Sequence, residues 1–179
     1  ELYGYAPGDR VYQGMTIAFD FSIEEIWVPL VAGATLVPAR PGPTLIGDEL
    51  GEFLRERRLT AIACPPTLPR TIDHDHLPDL RLLLVGGEAC PQNLVARWYR
   101  PGRRILNTYG PTETTVTATV TELRPGKAVN IGVPLPTYSI VILDPNEDKT
   151  VPTGELGEIG IAGVGLALGY MNRDELTMK

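Results

Sequence analysis

The sequence predicts an α/β fold, with a mostly parallel sheet flanked by helices and then antiparallel strands of a partial β-barrel. Three observations lead there. Apolar runs of strand length alternate with helical patterns through residues 15–107, the signature of strand–helix–strand units feeding one sheet. The run Leu82-Leu83-Leu84-Val85 is apolar throughout, as a strand covered on both faces must be, and it stops at Gly86-Gly87. After Pro111 the long helical patterns disappear, and Thr alternates with Val or Ala.

The elements follow in order. Residues 15–19 read as an apolar strand, and residues 23–32 as a helix with Ile23, Ile26, Trp27, Leu30 and Val31 on one face. Ser22 and Glu25 have the spacing of a capping box, which places that helix start and explains Ser22 without a hydrolase role. A strand is predicted at 35–39, a helix at 47–58 on the spacing of Leu50, Phe53, Leu54 and Arg57, and a strand at 60–64. After the 82–85 strand come a helix at 91–99, with Pro91 at its first position, and a strand at 104–107. Strands at 115–120, 138–143 and 155–162 complete the pattern. A boundary is expected near Arg124-Pro125-Gly126-Lys127, dividing an α/β unit, 1–124, from the start of a barrel-like unit, 125–179.

Composition narrows the function. A chain of 179 residues, 43% of them hydrophobic, can bury a sizeable core. Sixteen Lys and Arg against 22 Asp and Glu leave a net charge of −6, with no basic face for nucleic acid or anionic lipid. No apolar run approaches the roughly 20 residues that span a bilayer. The opening Glu1-Leu2-Tyr3-Gly4 lacks the regions of a signal peptide, so a cytoplasmic location is expected. Cys64 and Cys90 have no partner at disulfide-framework or zinc spacing.

The most informative string is Asn107-Thr108-Tyr109-Gly110-Pro111-Thr112-Glu113-Thr114-Thr115, placed where a parallel strand ends in a loop, the edge at which open α/β sheets bind ligands. An amide and an aromatic ring suit a purine, a hydroxyl suits a phosphate, and a carboxylate offers Mg²⁺ a hard oxygen. By itself the string also fits a Gly-Pro turn carrying a surface Glu. Two other motifs carry less: Gly163-Val164-Gly165-Leu166-Ala167-Leu168-Gly169 has the wrong spacing for a dinucleotide loop, and Asp73-His74-Asp75-His76 reads as a solvated polar loop.

This string resembles the adenylate-forming (ANL) superfamily, in particular the adenylation domains of nonribosomal peptide synthetases. Further blocks agree: Phe19-Asp20-Phe21-Ser22 with Glu25, then Pro65-Pro66-Thr67, Val85-Gly86-Gly87-Glu88-Ala89, and the Gly-rich stretch from Gly154 to Thr177. The resemblance covers nearly the whole chain. It implies an ATP-dependent ligase that forms aminoacyl-AMP and pyrophosphate, with Mg²⁺, and passes the amino acid to a carrier-protein thiol, as in antibiotic biosynthesis. It implies catalytic roles for Thr112, at a phosphate, and Glu113, at Mg²⁺. Gly87, Glu88, Ala89, Asn107, Tyr109 and Gly110 would border the nucleotide, and Asp20 would hold the substrate ammonium. Phe21, Glu24, Ala63, Leu84, Gly86, Thr108, Val116 and Thr117 would line the side-chain pocket, with Gly86 leaving room for a long side chain.

Glu24 is the charged member of that lining, and a carboxylate in a partly dry pocket needs a partner. A substrate cation at about 4 Å, with an effective dielectric near 20, would attract it by about 4 kcal/mol before desolvation. This resembles lysine- and ornithine-activating members; the alternative is a solvent-facing Glu that steadies the helix N-terminus. The family's triphosphate loop, ribose-binding Asp and C-terminal lysine are not found, so the chain is expected to be a fragment of the N-terminal core, incomplete for catalysis. Two other functions stay open: an acyl- or aryl-CoA ligase of the same superfamily, which would leave Asp20 and Glu24 unused, and a noncatalytic scaffold module.

Overall fold

In the computed structural model, which describes residues 2–147 and 149–178, a seven-stranded sheet runs in the order β2-β1-β3-β4-β5-β6-β7. Strands β1 (Arg10–Gln13), β2 (Thr35–Pro38), β3 (Ala61–Cys64), β4 (Leu82–Val85) and β5 (Arg104–Tyr109) are parallel to their neighbours, and β6 (Thr119–Glu122) and β7 (Val133–Pro134) join antiparallel. A separate two-stranded sheet pairs β8 (Tyr138–Leu143) with β9 (Glu158–Gly163). The helices are α1 (Phe21–Val31), α2 (Gly47–Glu56), α3 (Gln92–Trp98) and the short α4 (Asp174–Thr177).

Strand alternation divides the interior into two cores. Tyr12, Ile62, Cys64, Leu83, Val85 and Ile105 point to the side covered by Leu50, Phe53 and Leu54 of α2 and Leu94, Val95 and Trp98 of α3. Val11, Ala61, Ala63, Leu82, Leu84 and Leu106 point to the other side, where Phe21 of α1 packs. The buried Arg103 closes the α2–α3 core: its guanidinium donates to the carbonyls of Leu80 (2.8 Å), Leu77 (2.8 Å) and Trp98 (3.3 Å) and lies 5.4 Å from the Trp98 ring. Burial lowers its pKa to about 10, still well above neutrality. On the opposite face Asp9 binds Arg81 and Thr60, tying the start of β1 to the start of β4.

The structure corrects several expectations. Residues 15–19 form turns, not a strand; the parallel strand is β1, just upstream, and Phe19 N–H donates to Thr16 O (3.1 Å). The capping box is absent. Asp20 occupies the N-cap, Ser22 lies inside the helix and is buried, and the Glu25 carboxylate accepts from the backbone N–H groups of Gly14 (3.0 Å) and Met15 (3.2 Å). Pro91 precedes the first residue of α3 and does not occupy it, and residues 115–117 belong to a loop ahead of β6. Beyond the expected boundary at 124–127, β7 still pairs with β6 of the main sheet.

Helix α1 is turned opposite to its hydrophobic pattern. Glu24 and Glu25 are buried, whereas Ile23, Trp27, Leu30 and Val31 are exposed, Val31 at 87%. The cause lies in distant partners: both carboxylates find donors on the inner side, Glu24 from Tyr3 and Thr117 and Glu25 from Gly14, which no apolar side chain could satisfy.

Candidate functional site

The parallel register sets the site. Cys64 lies opposite Val85, and Val85 opposite Asn107, so β3 and β4 end level, β5 runs two residues further to Tyr109, and their following loops share one edge of the sheet. The N-terminus of α1 and the 110–117 loop close over the same edge.

Two cavities meet there. One, of about 580 Å³, is lined by Gly87, Glu88, Ala89, Asn107, Tyr109 and Gly110, the set expected at the nucleotide, together with Cys90, Thr108, Pro111, Val129, Asn130 and Ile131. The 129–131 wall was not foreseen. It is tied in by the Asn107 side-chain amide, which donates to the Asn130 carbonyl (2.9 Å), and by the Thr119 hydroxyl, which donates to the Ile131 carbonyl (2.5 Å). The other cavity, of about 180 Å³, is lined by Asp20, Phe21, Thr108, Thr112, Val116 and Thr117 with Phe19, Gly87, Gly110 and Pro111. Glycine is required where they join: at Gly87, with φ +79°, a Cβ would meet the Phe19 ring at 2.7 Å.

Within the smaller cavity the Thr112 hydroxyl donates to the Asp20 carboxylate (2.6 Å) across 92 residues of sequence. Thr115 and Val116 both have left-handed backbone, with φ of 57° and 72°. Two successive β-branched residues in that region are strained, and such strain persists where surrounding contacts over-determine it, as at binding sites.

The other expected pocket residues sit deeper. Ala63 and Leu84 are fully buried in the core that holds Phe21. Gly86 does not leave open space: a Cβ there would meet Thr108 Oγ1 at 2.5 Å and the Phe21 ring at 3.2 Å. Glu24 lies behind Thr117, which donates to its Oε2 (3.1 Å), and Tyr3 donates to its Oε1. It also borders an apolar cavity of about 840 Å³ with Tyr3, Tyr5, Trp27, Val28 and Leu135. Burial, helped by the neighbouring Asp20, raises its pKa although both hydroxyls oppose the rise.

Glu25 responds more strongly. Burial outweighs its donors from Gly14, Met15 and Gln13 and pushes its pKa from 4.5 to about 7. A carboxyl raised in the folded state binds more protons folded than unfolded between those values, so stability falls as pH rises from 4.5 to about 7. Glu24 adds a contribution of the same sign. Urea unfolding at pH 5 and pH 8 is therefore expected to give the lower stability at pH 8, and Glu25→Gln is expected to flatten the difference. An equal difference in the variant would assign the pH dependence to other groups.

Glu113 lies in the short helical turn Thr112–Thr114 and is exposed. Its carboxylate accepts from the Tyr170 hydroxyl, which holds its pKa below the ordinary value, and it pairs with no Lys or Arg among the described residues. An ionised carboxylate with Thr112 beside it is a donor set that fits Mg²⁺. The loop Asp73-His74-Asp75 gathers three ligand-type side chains elsewhere, far from this edge in the fold; His76 and Arg100 already pair with its carboxylates.

The chain as a whole is similar to known proteins. The sequence pattern of the family described as AMP-binding enzyme matches residues 1–171. This chain belongs to that family. Delta-poly-L-ornithine synthetase of Acinetobacter baumannii is 42% identical to it over 176 residues, 98% of this chain and 13% of that protein. Novobiocin biosynthesis protein H of Streptomyces niveus is 47% identical over 172 residues, 95% of this chain and 28% of that protein. Among solved structures, holo-PA1221, an NRPS protein containing adenylation and PCP domains, superposes with a TM-score of 0.86 at 28% identity, covering 99% of this chain and 32% of that one. The Vibrio cholerae adenylation domain AlmE, in complex with glycyl-adenosine-5'-phosphate, gives 0.84 at 28% identity, with 99% and 36% covered. The AMP-binding chain spans about a third or less of the length of these relatives. No helix among its described residues is long and apolar enough to cross a membrane.

Proposed function

We propose that the enzyme carrying this chain activates a basic amino acid of the lysine or ornithine type, forming aminoacyl-AMP and pyrophosphate for transfer to a carrier-protein thiol. The observation that carries this is the pairing of Asp20 with Glu24. They stand one helical turn apart at the start of α1, so both project to one face with Cβ atoms about 5–6 Å apart. Each carboxylate is held by hydroxyls, Asp20 by Thr112 and Glu24 by Thr117 and Tyr3, and neither has a cationic partner among the described residues. A diamino acid brings two ammonium groups at a comparable separation: the α-ammonium to Asp20 and the side-chain ammonium past Thr117 to Glu24. The ornithine in the name of one relative and the PCP domain in a structural neighbour point the same way.

In this reading the chain contributes positioning. Asn107 and Tyr109 border the adenine in the larger cavity, Thr112 meets a phosphate, and Asp20 orients the amino acid so that its carboxylate faces the α-phosphorus. Mg²⁺ on Glu113 would offset phosphate charge. The test is amino-acid-dependent pyrophosphate exchange with the common amino acids plus ornithine and β-lysine. Exchange confined to basic amino acids is expected. Preference for a neutral amino acid would keep the activity and discard the pairing, and no exchange with any amino acid would overturn amino-acid activation in favour of an acyl or aryl acid substrate.

A further inference from the structure

The turn that carries Glu113 is held from outside. The Tyr138 hydroxyl donates to the Thr114 carbonyl (2.6 Å), the Thr115 hydroxyl to the Gly165 carbonyl (2.6 Å), and the Ala167 N–H to the Glu113 carbonyl (2.8 Å). These contacts bring β8 and the segment after β9 down onto the turn. Tyr170, 57 residues from Glu113, ends that segment with its hydroxyl on Glu113 Oε1. Tyr170 is itself anchored, because its N–H donates to Thr177 Oγ1 (2.8 Å) and its carbonyl accepts from the Arg173 N–H (3.1 Å). The approach needs glycine on both sides: a Cβ at Gly165 would collide with the Tyr138 hydroxyl, and one at Gly169, with φ +145°, would strike Thr177.

We propose that Tyr170 is a positioning residue for Glu113, fixing the rotation of its carboxylate so that Oε2 is presented to a divalent cation. The proposal rests on Glu113 being the metal carboxylate. A carboxylate that binds Mg²⁺ through one oxygen gains from a hydrogen bond to the other, since ligating groups need their own partners to hold orientation. Here that partner comes from a distant segment of the chain, so the metal position is complete only when the 163–170 loop is docked.

The test compares wild type, Tyr170→Phe and Glu113→Gln in the full-length enzyme, with Mn²⁺ as the probe and a nonhydrolysable ATP analogue bound. Electron paramagnetic resonance titration reads free Mn²⁺, and thermal unfolding checks that each variant is folded. Tyr170→Phe keeps the ring and is expected to weaken Mn²⁺ binding about tenfold. It should raise the Mg²⁺ needed for half-maximal exchange by a similar factor and leave KM for the amino acid unchanged. Mn²⁺ affinity within about twofold of wild type in Tyr170→Phe, with Glu113→Gln weakened, would overturn the role of Tyr170 alone. Unchanged affinity in Glu113→Gln would overturn the metal role of Glu113 and this proposal with it. Neither outcome depends on which amino acid is activated.

Discussion

Glu24→Ala is expected to lower kcat/KM for a basic amino acid by roughly 30- to 5,000-fold, the equivalent of about 2–5 kcal/mol for removing one member of a buried charge pair. The loss should fall on basic substrates. Glu24 is 9% exposed and bonded to Tyr3 and Thr117, so its removal leaves those hydroxyls free to rotate and leaves a substrate ammonium without a counter-charge. A neutral amino acid of similar length never had that attraction and should lose little. Competition between ornithine and a neutral analogue in pyrophosphate exchange reads the ratio directly, and a ratio equal to that of wild type would separate Glu24 from specificity. Glu24→Gln keeps the shape and hydrogen-bonding capacity, so it isolates the charge.

The second large effect concerns the fold. Trp98→Ala is expected to destabilise the chain by about 3–5 kcal/mol, the range for emptying a buried tryptophan site. The side chain is fully buried at 0% exposure, its indole N–H donates to the Pro69 carbonyl (3.2 Å), and its ring carries the Arg103 guanidinium. Removing the ring therefore opens a cavity and uncovers a buried cation at once. At this chain length the change corresponds to a fall in Tm of roughly 6–20 °C. Denaturant unfolding followed by circular dichroism checks it. A loss below about 1 kcal/mol would mean that the α2–α3 core closes over the gap, and Trp98→Phe should recover most of the stability.

Much of the architecture was legible in the sequence because its strands are short and apolar and its helices are punctuated by Gly and Pro. Leu82–Val85 and Ala61–Cys64 lie where their composition places them, and Asp20, Phe21, Thr108, Val116 and Thr117 do gather around one cavity. What failed was local pattern overruled by distant partners. Residues 15–19 are apolar but spent on turns, because Glu25 claims the N–H groups of Gly14 and Met15 that a strand would have used. The hydrophobic stripe of α1 points outward because Tyr3 and Thr117 satisfy Glu24 within. Tyr3 and Asn130 escaped notice for the same reason, since a single Tyr or Asn carries no spacing signal, and Tyr170 stood inside the Gly-rich stretch without a site role; they reach their partners from 21, 23 and 57 residues away. Gly86 marks a packing demand where openness was expected.

The outward turn of α1 has a practical corollary in fluorescence. The chain holds two tryptophans, and they lie at opposite extremes of exposure, Trp27 at 60% and Trp98 at 0%. Trp98 emits from the dry α2–α3 core, and its red shift follows global unfolding. Trp27 emits from water beside the Glu24 cavity, so a collisional quencher such as acrylamide addresses it selectively. One emission spectrum thus holds two reporters, the integrity of the core and whatever covers the face of α1, and they can be read apart without a label.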